Sequence, residues 1–226
     1  MKVAICFSGQ VRSLDLCADS IQKTIIDKSS EKVDIFCHFY YSDPNDEEKM
    51  KRILNPVDYK FENDPPLEPS FLNTCYDNRC RGKGPATLER TRRVLNQIYS
   101  VFMANELKKK TEKTKNFKYD VVFRMRPDQI YEQQLEDLEL VKKNELFVPA
   151  HDWHGGINDR FSFATSETMD KYASMWLELE QLMQMGRFHP ETLAMNICKK
   201  HNIKVVKSKI TCKRVREDGT ILGLNW

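Results

Sequence analysis

Residues 119–128 read YDVVFRMRPD, and they combine a buried strand with an abrupt end. The apolar residues 121–123 are typical of a strand inside a sheet. Pro127 cannot donate a hydrogen bond to a neighbouring strand, and it disfavours a helical backbone at the residue before it. The stretch therefore predicts a buried strand that ends at residue 126.

Charged side chains lie at the end of this strand: Arg124, Arg126 and Asp128. In open parallel sheets, ligands bind at the carboxyl edge of the strands. Guanidinium groups match the oxygens of a phosphate, and a carboxylate can hold a divalent cation that bridges phosphates. The alternative is a salt bridge at the strand end with no ligand.

Strand-like and helix-like segments alternate along the whole chain. Strands are predicted at residues 1–7, 33–40, 57–61, 121–126, 146–149, 160–164, 203–206 and 209–214. Helices are predicted at residues 14–26, 45–54, 85–110, 133–142, 166–183 and 190–201. This order predicts a single α/β domain over residues 1–226, with a doubly wound, mostly parallel central sheet flanked by helices. Residues 62–84 are predicted as a long loop that is mobile or functional, because three prolines lie between residues 65 and 69.

The composition is that of a soluble globular protein. Of the 226 residues, 40% are hydrophobic and 31% are charged, and the formal net charge is +3. Much of the positive excess lies in residues 108–115, KKKTEKTK, which we interpret as the solvated end of a helix. We therefore expect no nucleic-acid partner, although a basic nucleic-acid-binding domain that uses this run is a competing interpretation.

Cysteine usage and the N-terminus indicate a cytoplasmic protein. The seven cysteines are an odd number, and the pair at positions 75 and 80 has no partner pair at zinc-ligand spacing. We expect reduced thiols in a cytosolic compartment. The apolar run at residues 3–7 is too short for a signal peptide or a membrane span, and no other segment approaches the length of a span.

Two further segments carry ligand-type chemistry. Residues 8–12 bring Ser8, Gly9, Gln10 and Arg12 to the end of the first strand, where a turn and a helix N-terminus can receive a phosphate. The segment matches neither GxGxxG nor GxxxxGK, and an ordinary tight turn explains it equally well.

The second segment, residues 151–161, reads HDWHGGINDRF. Gly155 and Gly156 allow a ligand to approach the backbone closely, and Asn158 and Asp159 follow at the start of a strand. The alternative is a surface turn whose polar side chains bond the local backbone. Near residue 189, a His-Pro-Glu sequence is the ordinary start of a helix. Basic residues at 207–216 can close over phosphates or can simply be solvated.

In order and spacing, four of these segments resemble small glycosyltransferases of the GT-A type, in particular those encoded by chlorella viruses. The matching segments are CFSGQVRS, LNQIYSVFMANEL, VVFRMRPD and HGGINDRFSFATSETMDKY. The resemblance covers most of the chain, and residues 62–84 match least. It implies a GT-A-like fold and, for a viral protein, a place in the cytoplasm of the host cell.

The resemblance also implies a UDP-sugar donor and a glycan or glycoprotein acceptor. The uracil and ribose would lie near residues 8–12, and the diphosphate would be bound through Mn²⁺ or Mg²⁺. The usual metal motif of the family is Asp-x-Asp, of which this chain keeps only Asp128. His189 is the candidate for a second metal ligand. Gly155, Gly156 and Asn158 would contact the donor, as would Arg124 and Arg126.

Asp159 would lie beside the reacting carbon of the sugar. A carboxylate there can act as a base on the acceptor hydroxyl or stabilise a positively charged sugar ring. The sequence leaves both roles open, and with them inversion or retention. The leading interpretation is metal-assisted sugar transfer. The alternative is a non-catalytic module that binds a nucleotide sugar, which the missing first aspartate favours.

Overall fold

A mixed sheet of seven strands forms the centre of the molecule. The computed structural model describes residues 1–29, 32–63, 68–80, 87–133 and 135–223. The strands of these residues are β1 (Val3–Gln10), β2 (Val33–Tyr40), β3 (Asp58–Glu62), β4 (Val121–Met125), β5 (Gln129–Glu132), β6 (Glu145–Pro149), β7 (Phe161–Ala164), β8 (Lys204–Ser208) and β9 (Thr211–Arg214).

The order of the sheet is β3-β2-β1-β4-β7-β6-β8, and β5 pairs with β9 in a separate antiparallel ribbon. Only β7 runs against its neighbours in the sheet; the other pairs are parallel. Strands β2 and β3 extend the sheet on one side of β1, and β4 begins the other side. The order therefore reverses between β1 and β4, which is the type of position where open sheets bind ligands. The predicted α/β class with a doubly wound, mostly parallel sheet is confirmed.

Helices cover both faces of the sheet. They are α1 (Leu14–Ile21), α2 (Asp27–Ser29), α3 (Asp46–Leu54), α4 (Pro69–Cys80), α5 (Leu88–Lys115), α6 (Ser166–Ala173), α7 (Leu179–Met185) and α8 (Pro190–Lys200). A π-helical turn, Gln22–Ile26, links α1 to α2, and short 3₁₀ turns cover Leu138–Leu140 and Ser174–Trp176. None of the described helices combines the length and the apolar character that crossing a membrane requires.

Alternate residues of β1, β2, β4, β6 and β7 contribute to two separate apolar clusters. On β4, for example, Val121 and Phe123 pack in the cluster that includes α1 and α3, whereas Val122 packs in the cluster that includes α4 to α8. This alternation is the strand periodicity of two. The six cysteines that the structure describes in full are all buried and free.

Helix α5 crosses the sheet and ends in a buried network of charges. Lys108 is completely buried; its Nζ donates to Oγ of Ser166 at 2.7 Å and to Oδ1 of Asp170 at 2.6 Å. Oε2 of Glu112 lies 3.4 Å from the same Nζ. The expectation that residues 108–115 form a solvated run is therefore wrong at Lys108, because this position faces α6.

The structure corrects three predicted elements. Residues 8–10, predicted as a turn, complete β1, because they pair with residues 38–40 of β2. Residues 69–80 of the predicted loop form α4, which buries Leu72 and Cys75 against the core. The other predicted loop residues in 64–67 and 81–84 lie outside the described part of the chain. Of the helix predicted at 133–142, the described residues form only the turn Leu138–Leu140, preceded by β5.

Candidate functional site

A cleft of about 930 Å³ opens where the strand order reverses, at the carboxyl ends of β1 and β4. Five segments contribute its walls: the end of β1 with the turn after it, the turn after β2, the start of α5, the turn after β4, and the end of β9 with the chain after it. The described residues that line it are Ser8, Gly9, Gln10, Arg12, Ser42, Glu89, Arg92, Arg93, Asn96, Gln97, Arg126, Pro127, Asp128, Arg214, Val215, Arg216, Glu217 and Asp218.

The cations among the described residues that line this cleft are all arginines. The chain contains 23 lysines and 13 arginines. Six arginines line the cleft, and no lysine is among the described residues that do. Because the guanidinium group presents a planar fork of donors that matches phosphate and carboxylate oxygens, this selection indicates recognition of an oxyanion rather than general solubility.

Asp128 is a buried carboxylate that three of these arginines share. Arg126 donates from Nε to Oδ1 at 2.8 Å and from Nη2 to Oδ2 at 2.7 Å. Arg12 donates from Nη1 to Oδ2 at 3.0 Å, and Nε of Arg214 lies 3.3 Å from the same oxygen. Burial opposes ionisation of Asp128, but the charges of Arg126 and Arg12 hold its pKa well below the usual range. The carboxylate is therefore charged at neutral pH.

The three guanidinium groups come from different parts of the chain. Arg12 follows β1 in a left-handed backbone conformation, with φ of 43°. Its Nε and Nη2 donate to Oε1 of Gln10 at 3.1 and 2.8 Å. Arg126 follows β4, and Arg214 ends β9. We refer to Arg12, Arg126 and Arg214 around Asp128 as the arginine cluster. Its side chains are between 19% and 35% exposed, so they reach the cleft.

A buried polar atom without a partner among the described residues lies at the end of β1, beside the cleft. The hydroxyl of Ser8 is buried and has no hydrogen-bond partner in the described part of the chain, although Ser8 lines the cleft. A buried polar group without a partner is costly, so a ligand that bonds it would gain affinity. Gly9 beside it has φ of 120°, a backbone conformation that residues with a side chain rarely adopt.

A buried chain of hydrogen bonds fixes this strand end. The N–H of Gly9 donates to Oγ of Ser100 at 2.8 Å, and Nδ1 of His38 lies 3.0 Å from the same oxygen. Nε2 of His38 faces Oε2 of Glu62 at 3.2 Å. Burial lowers the pKa of His38 to about 4, against the opposing effect of the Glu62 carboxylate. The imidazole is therefore neutral at neutral pH.

Gln97 on α5 connects Asp159 to the arginine cluster. Its Nε2 donates to Oδ2 of Asp159, and Nη1 of Arg126 donates to its Oε1 at 3.4 Å. Gln97 lines the cleft, whereas Asp159 is 9% exposed and lies behind it. Asp159 therefore reaches a ligand in the cleft only if Gln97 moves or takes part in the contact.

Arg124 has a different position from Arg126, although the two are alternate residues on the same strand end. Its side chain is buried, and Nη1 donates to the backbone carbonyl of Asp159. Burial lowers the pKa of this guanidinium, while Tyr172 and Asp159 oppose the shift. Arg124 does not line the cleft. This hydrogen bond holds the start of β7 in place. A role of Arg124 in donor binding stays a prediction.

The segment around Gly155 and Gly156 is held by local packing. A Cβ on Gly156 would lie 1.9 Å from the backbone oxygen of Glu191 at the start of α8, so this position requires glycine. Gly155 has φ of 83°, but a Cβ there would meet nothing within 4 Å. Asn158 is fully buried; it donates to the carbonyl of His151 at 3.1 Å and accepts from N–H of Arg160 at 2.9 Å. None of the three predicted donor contacts lines the cleft, so that role stays a prediction.

The residues predicted to hold Mn²⁺ or Mg²⁺ do not fit such a cation. His189 precedes α8 and does not line the cleft; its Nδ1 lies 2.6 Å from Oε2 of Glu191, at an angle unsuited to a hydrogen bond. No group of three or more His, Cys, Asp or Glu among the described residues is arranged to hold a metal. Mn²⁺ and Mg²⁺ require oxygen ligands, but both oxygens of Asp128 already accept hydrogen bonds from guanidinium groups. The geometry therefore supports neither Asp128 nor His189 as a metal ligand.

Several cleft residues were not predicted. Arg92, Arg93, Asn96 and Gln97 line the cleft from the first turns of α5. They lie opposite the buried positions of that helix, and this polar face was the available signal. Arg214 and Arg216 were predicted either to close over phosphates or to be solvated, and both line the cleft.

The chain belongs to the family described as Domain of unknown function (DUF7796), whose model matches residues 92–216, more than half of the chain. The matched region begins and ends at cleft arginines. A comparison with curated proteins found no match.

Among solved structures, the apo form of mouse xyloside xylosyltransferase 1 is similar at 10% identity and a TM-score of 0.47, over 91% of this chain and 84% of that one. A similarity this slight carries no information about the reaction. Neither match bears on the resemblance to chlorella-virus glycosyltransferases, which stays a prediction.

The two glycines make a matched test of the packing role. We expect Gly156→Ala to lower the free energy of unfolding by about 3 kcal/mol or more, because the new methyl group overlaps backbone of α8. Gly155→Ala should cost only about 1 kcal/mol, the strain of a left-handed backbone. Chemical denaturation of both variants measures the difference. Equal losses would contradict the packing role of Gly156.

Proposed function

We propose that this protein is a glycosyltransferase that moves a sugar from a UDP-sugar to a glycan acceptor, such as that of a glycoprotein or surface glycan. The observation that carries the proposal is the arginine cluster at the point where the strand order reverses. An α/β sheet offers its ligand site at such a point. A site lined by arginines there suits a diphosphate, which is the anionic part common to these donors.

The arrangement also suits the departure of a nucleoside diphosphate. In glycosyl transfer, the bond between the anomeric carbon and the diphosphate oxygen breaks, and its electron pair stays on the diphosphate. Negative charge therefore grows on the leaving group in the transition state. Fixed positive groups aimed at that position lower the barrier, and ion pairs with the buried Asp128 fix the arginines before the donor arrives.

The uridine would lie beside the end of β1. The buried, unpartnered hydroxyl of Ser8 would bond a polar atom of the ribose or the base that reaches it, and the backbone at Gly9 carries no side chain to obstruct that atom. The acceptor hydroxyl would then approach the anomeric carbon from the α5 side, where Gln97 covers Asp159. In this arrangement, Asp159 takes the acceptor proton or stabilises the positively charged ring.

One observation favours a non-catalytic module that binds a nucleotide sugar. The carboxylate of Asp159 is bonded to Gln97 and lies behind the cleft, so no base is directly exposed to an acceptor at this position. Transfer or hydrolysis of the donor separates the two functions, because a binding module would bind UDP and UDP-sugars without releasing UDP.

Arg126 tests the diphosphate contact. We expect Arg126→Ala to weaken UDP binding by about 1.5–3 kcal/mol, through the loss of a charge-assisted hydrogen bond. Arg52→Ala is the matched control, because Arg52 is exposed on α3 and lies outside the cleft. Isothermal titration calorimetry with UDP measures both. Unchanged affinity in Arg126→Ala would reduce Arg126 to a structural partner of Asp128.

Asp159 tests the chemistry. We expect Asp159→Asn to leave UDP affinity within a few fold and to lower turnover by about 10²-fold, the scale of a lost general base or electrostatic partner. The exposed Asp19→Asn on α1 is the control for the same exchange away from the cleft. UDP affinity by calorimetry and UDP release in the presence of acceptor are measured together. Normal turnover would exclude Asp159 from the reaction, and equal losses in both would make it a binding residue only.

A further inference from the structure

We propose that the cleft binds the donor diphosphate without a divalent cation, and that Asp128 is a positioning residue for the arginine cluster instead of a metal ligand. The inference rests on the proposed function and names how that site holds its substrate. It departs from the metal-assisted transfer that the sequence resemblance implies.

The coordination capacity of Asp128 is already used. Oδ1 accepts from Nε of Arg126 at 2.8 Å and from Nε2 of Gln129 at 3.2 Å. Oδ2 accepts from Arg126 and Arg12 at 2.7 and 3.0 Å, with Arg214 at 3.3 Å. A Mg²⁺ or Mn²⁺ ion must approach a carboxylate oxygen to about 2.1 Å. It would have to displace these donors and then lie among the guanidinium groups it displaced.

Charge balance leads to the same result. Three guanidinium groups surround one carboxylate, so the arginine cluster keeps an excess of positive charge. A diphosphate supplies the missing negative charge and the acceptor oxygens. A divalent cation would add to the excess, and the repulsion is strong where the charges are partly removed from water.

The guanidinium groups also keep N–H donors that can bond an anion. Each has five N–H bonds. Arg126 uses three of its nitrogens on Asp128 and Gln97, and Arg12 uses three on Asp128 and Gln10. Each terminal nitrogen carries two N–H bonds, so both side chains can bond Asp128 and an anion at once. Asp128 therefore holds the forks in place for the diphosphate.

In the transfer step, the arginine cluster takes the role of the cation. The carbon–oxygen bond to the diphosphate breaks, and its electron pair remains on the diphosphate oxygen next to the guanidinium groups. The acceptor oxygen forms the new bond to the anomeric carbon, and its proton passes to Asp159 or to water. No oxidant, reductant or further reactant is needed.

The direct test is the cation dependence of binding. UDP and inorganic pyrophosphate are titrated into the wild-type protein by calorimetry, in EDTA and again with Mn²⁺ or Mg²⁺. We expect both ligands to bind in EDTA. Adding the cation should leave the affinity within about twofold or weaken it, because a chelated diphosphate has less charge for the arginines to bind.

The outcomes separate the two proposals. Binding of both ligands in EDTA supports both. Binding that appears only with Mn²⁺ or Mg²⁺ would overturn the present inference and leave the UDP-sugar transferase standing. Binding of pyrophosphate but not UDP in EDTA would keep the cation-free diphosphate site and overturn the proposed donor. Failure of both ligands under all conditions would overturn both.

Two variants test which basic side chain of β9 binds the diphosphate. Arg214→Ala should weaken binding in EDTA about tenfold, the loss expected from one charge-assisted contact. Lys213→Ala removes the same charge from the next position of β9, but its Nζ pairs with Glu132 at 3.0 Å, so it should have little effect. Equal losses in the two variants would reduce the site to general electrostatic attraction and overturn the assignment.

Asp128→Asn tests whether Asp128 positions the arginines or binds a metal. The quantity to compare is the ratio of UDP affinities with and without Mn²⁺, which a loss of order in the arginines does not change by itself. Affinity should fall in this variant, since Asn keeps the shape and loses the charge that aligns the arginines. The ratio of affinities with and without Mn²⁺ should stay at its wild-type value. A wild-type ratio well above one that collapses in Asp128→Asn would instead identify Asp128 as a metal ligand.

Discussion

The ion pairs of Asp128 with Arg12, Arg126 and Arg214 are the interaction on which the candidate site depends. A buried carboxylate costs several kcal/mol in lost hydration, and only close, well-oriented partners offset that cost. Here the partners come from the turn after β1, the turn after β4 and the end of β9. One carboxylate therefore ties three distant parts of the chain to one edge of the sheet.

This constraint explains why some polar side chains near the cleft hold the backbone in place, whereas others are exposed to a ligand. Side chains that point into the sheet or behind it, such as Arg124 and Asn158, have backbone partners and hold the start of β7 in place. Side chains at the strand ends keep part of their surface in the cleft. The buried chain through His38 and Ser100 fixes the backbone of Gly9 in the same way. The site is thus ordered before any ligand binds, which lowers the cost of binding.

Much of the fold could be predicted from local sequence signals, because strand β4 and its neighbours are apolar runs ended by breakers. The cleft residues of the first strand end and of residues 126–128 could also be predicted, since a parallel sheet brings such ends together. The ion pairs of Asp128 with Arg12 and Arg214 could not be predicted, because they depend on which distant arginines the fold brings within 4 Å. The close neighbour of Gly156 in the structure is α8, which the sequence did not identify, because a glycine indicates close packing without naming the neighbour; its contact with a donor stays a prediction.

The most direct measurement is a crystal structure of the protein grown with UDP and Mn²⁺, with diffraction recorded at the manganese absorption edge. We predict diphosphate oxygens within hydrogen-bond distance of Arg12, Arg126 and Arg214, and no anomalous peak beside Asp128. A manganese peak bridging Asp128 and the diphosphate would contradict it, as would a diphosphate bound outside the cleft.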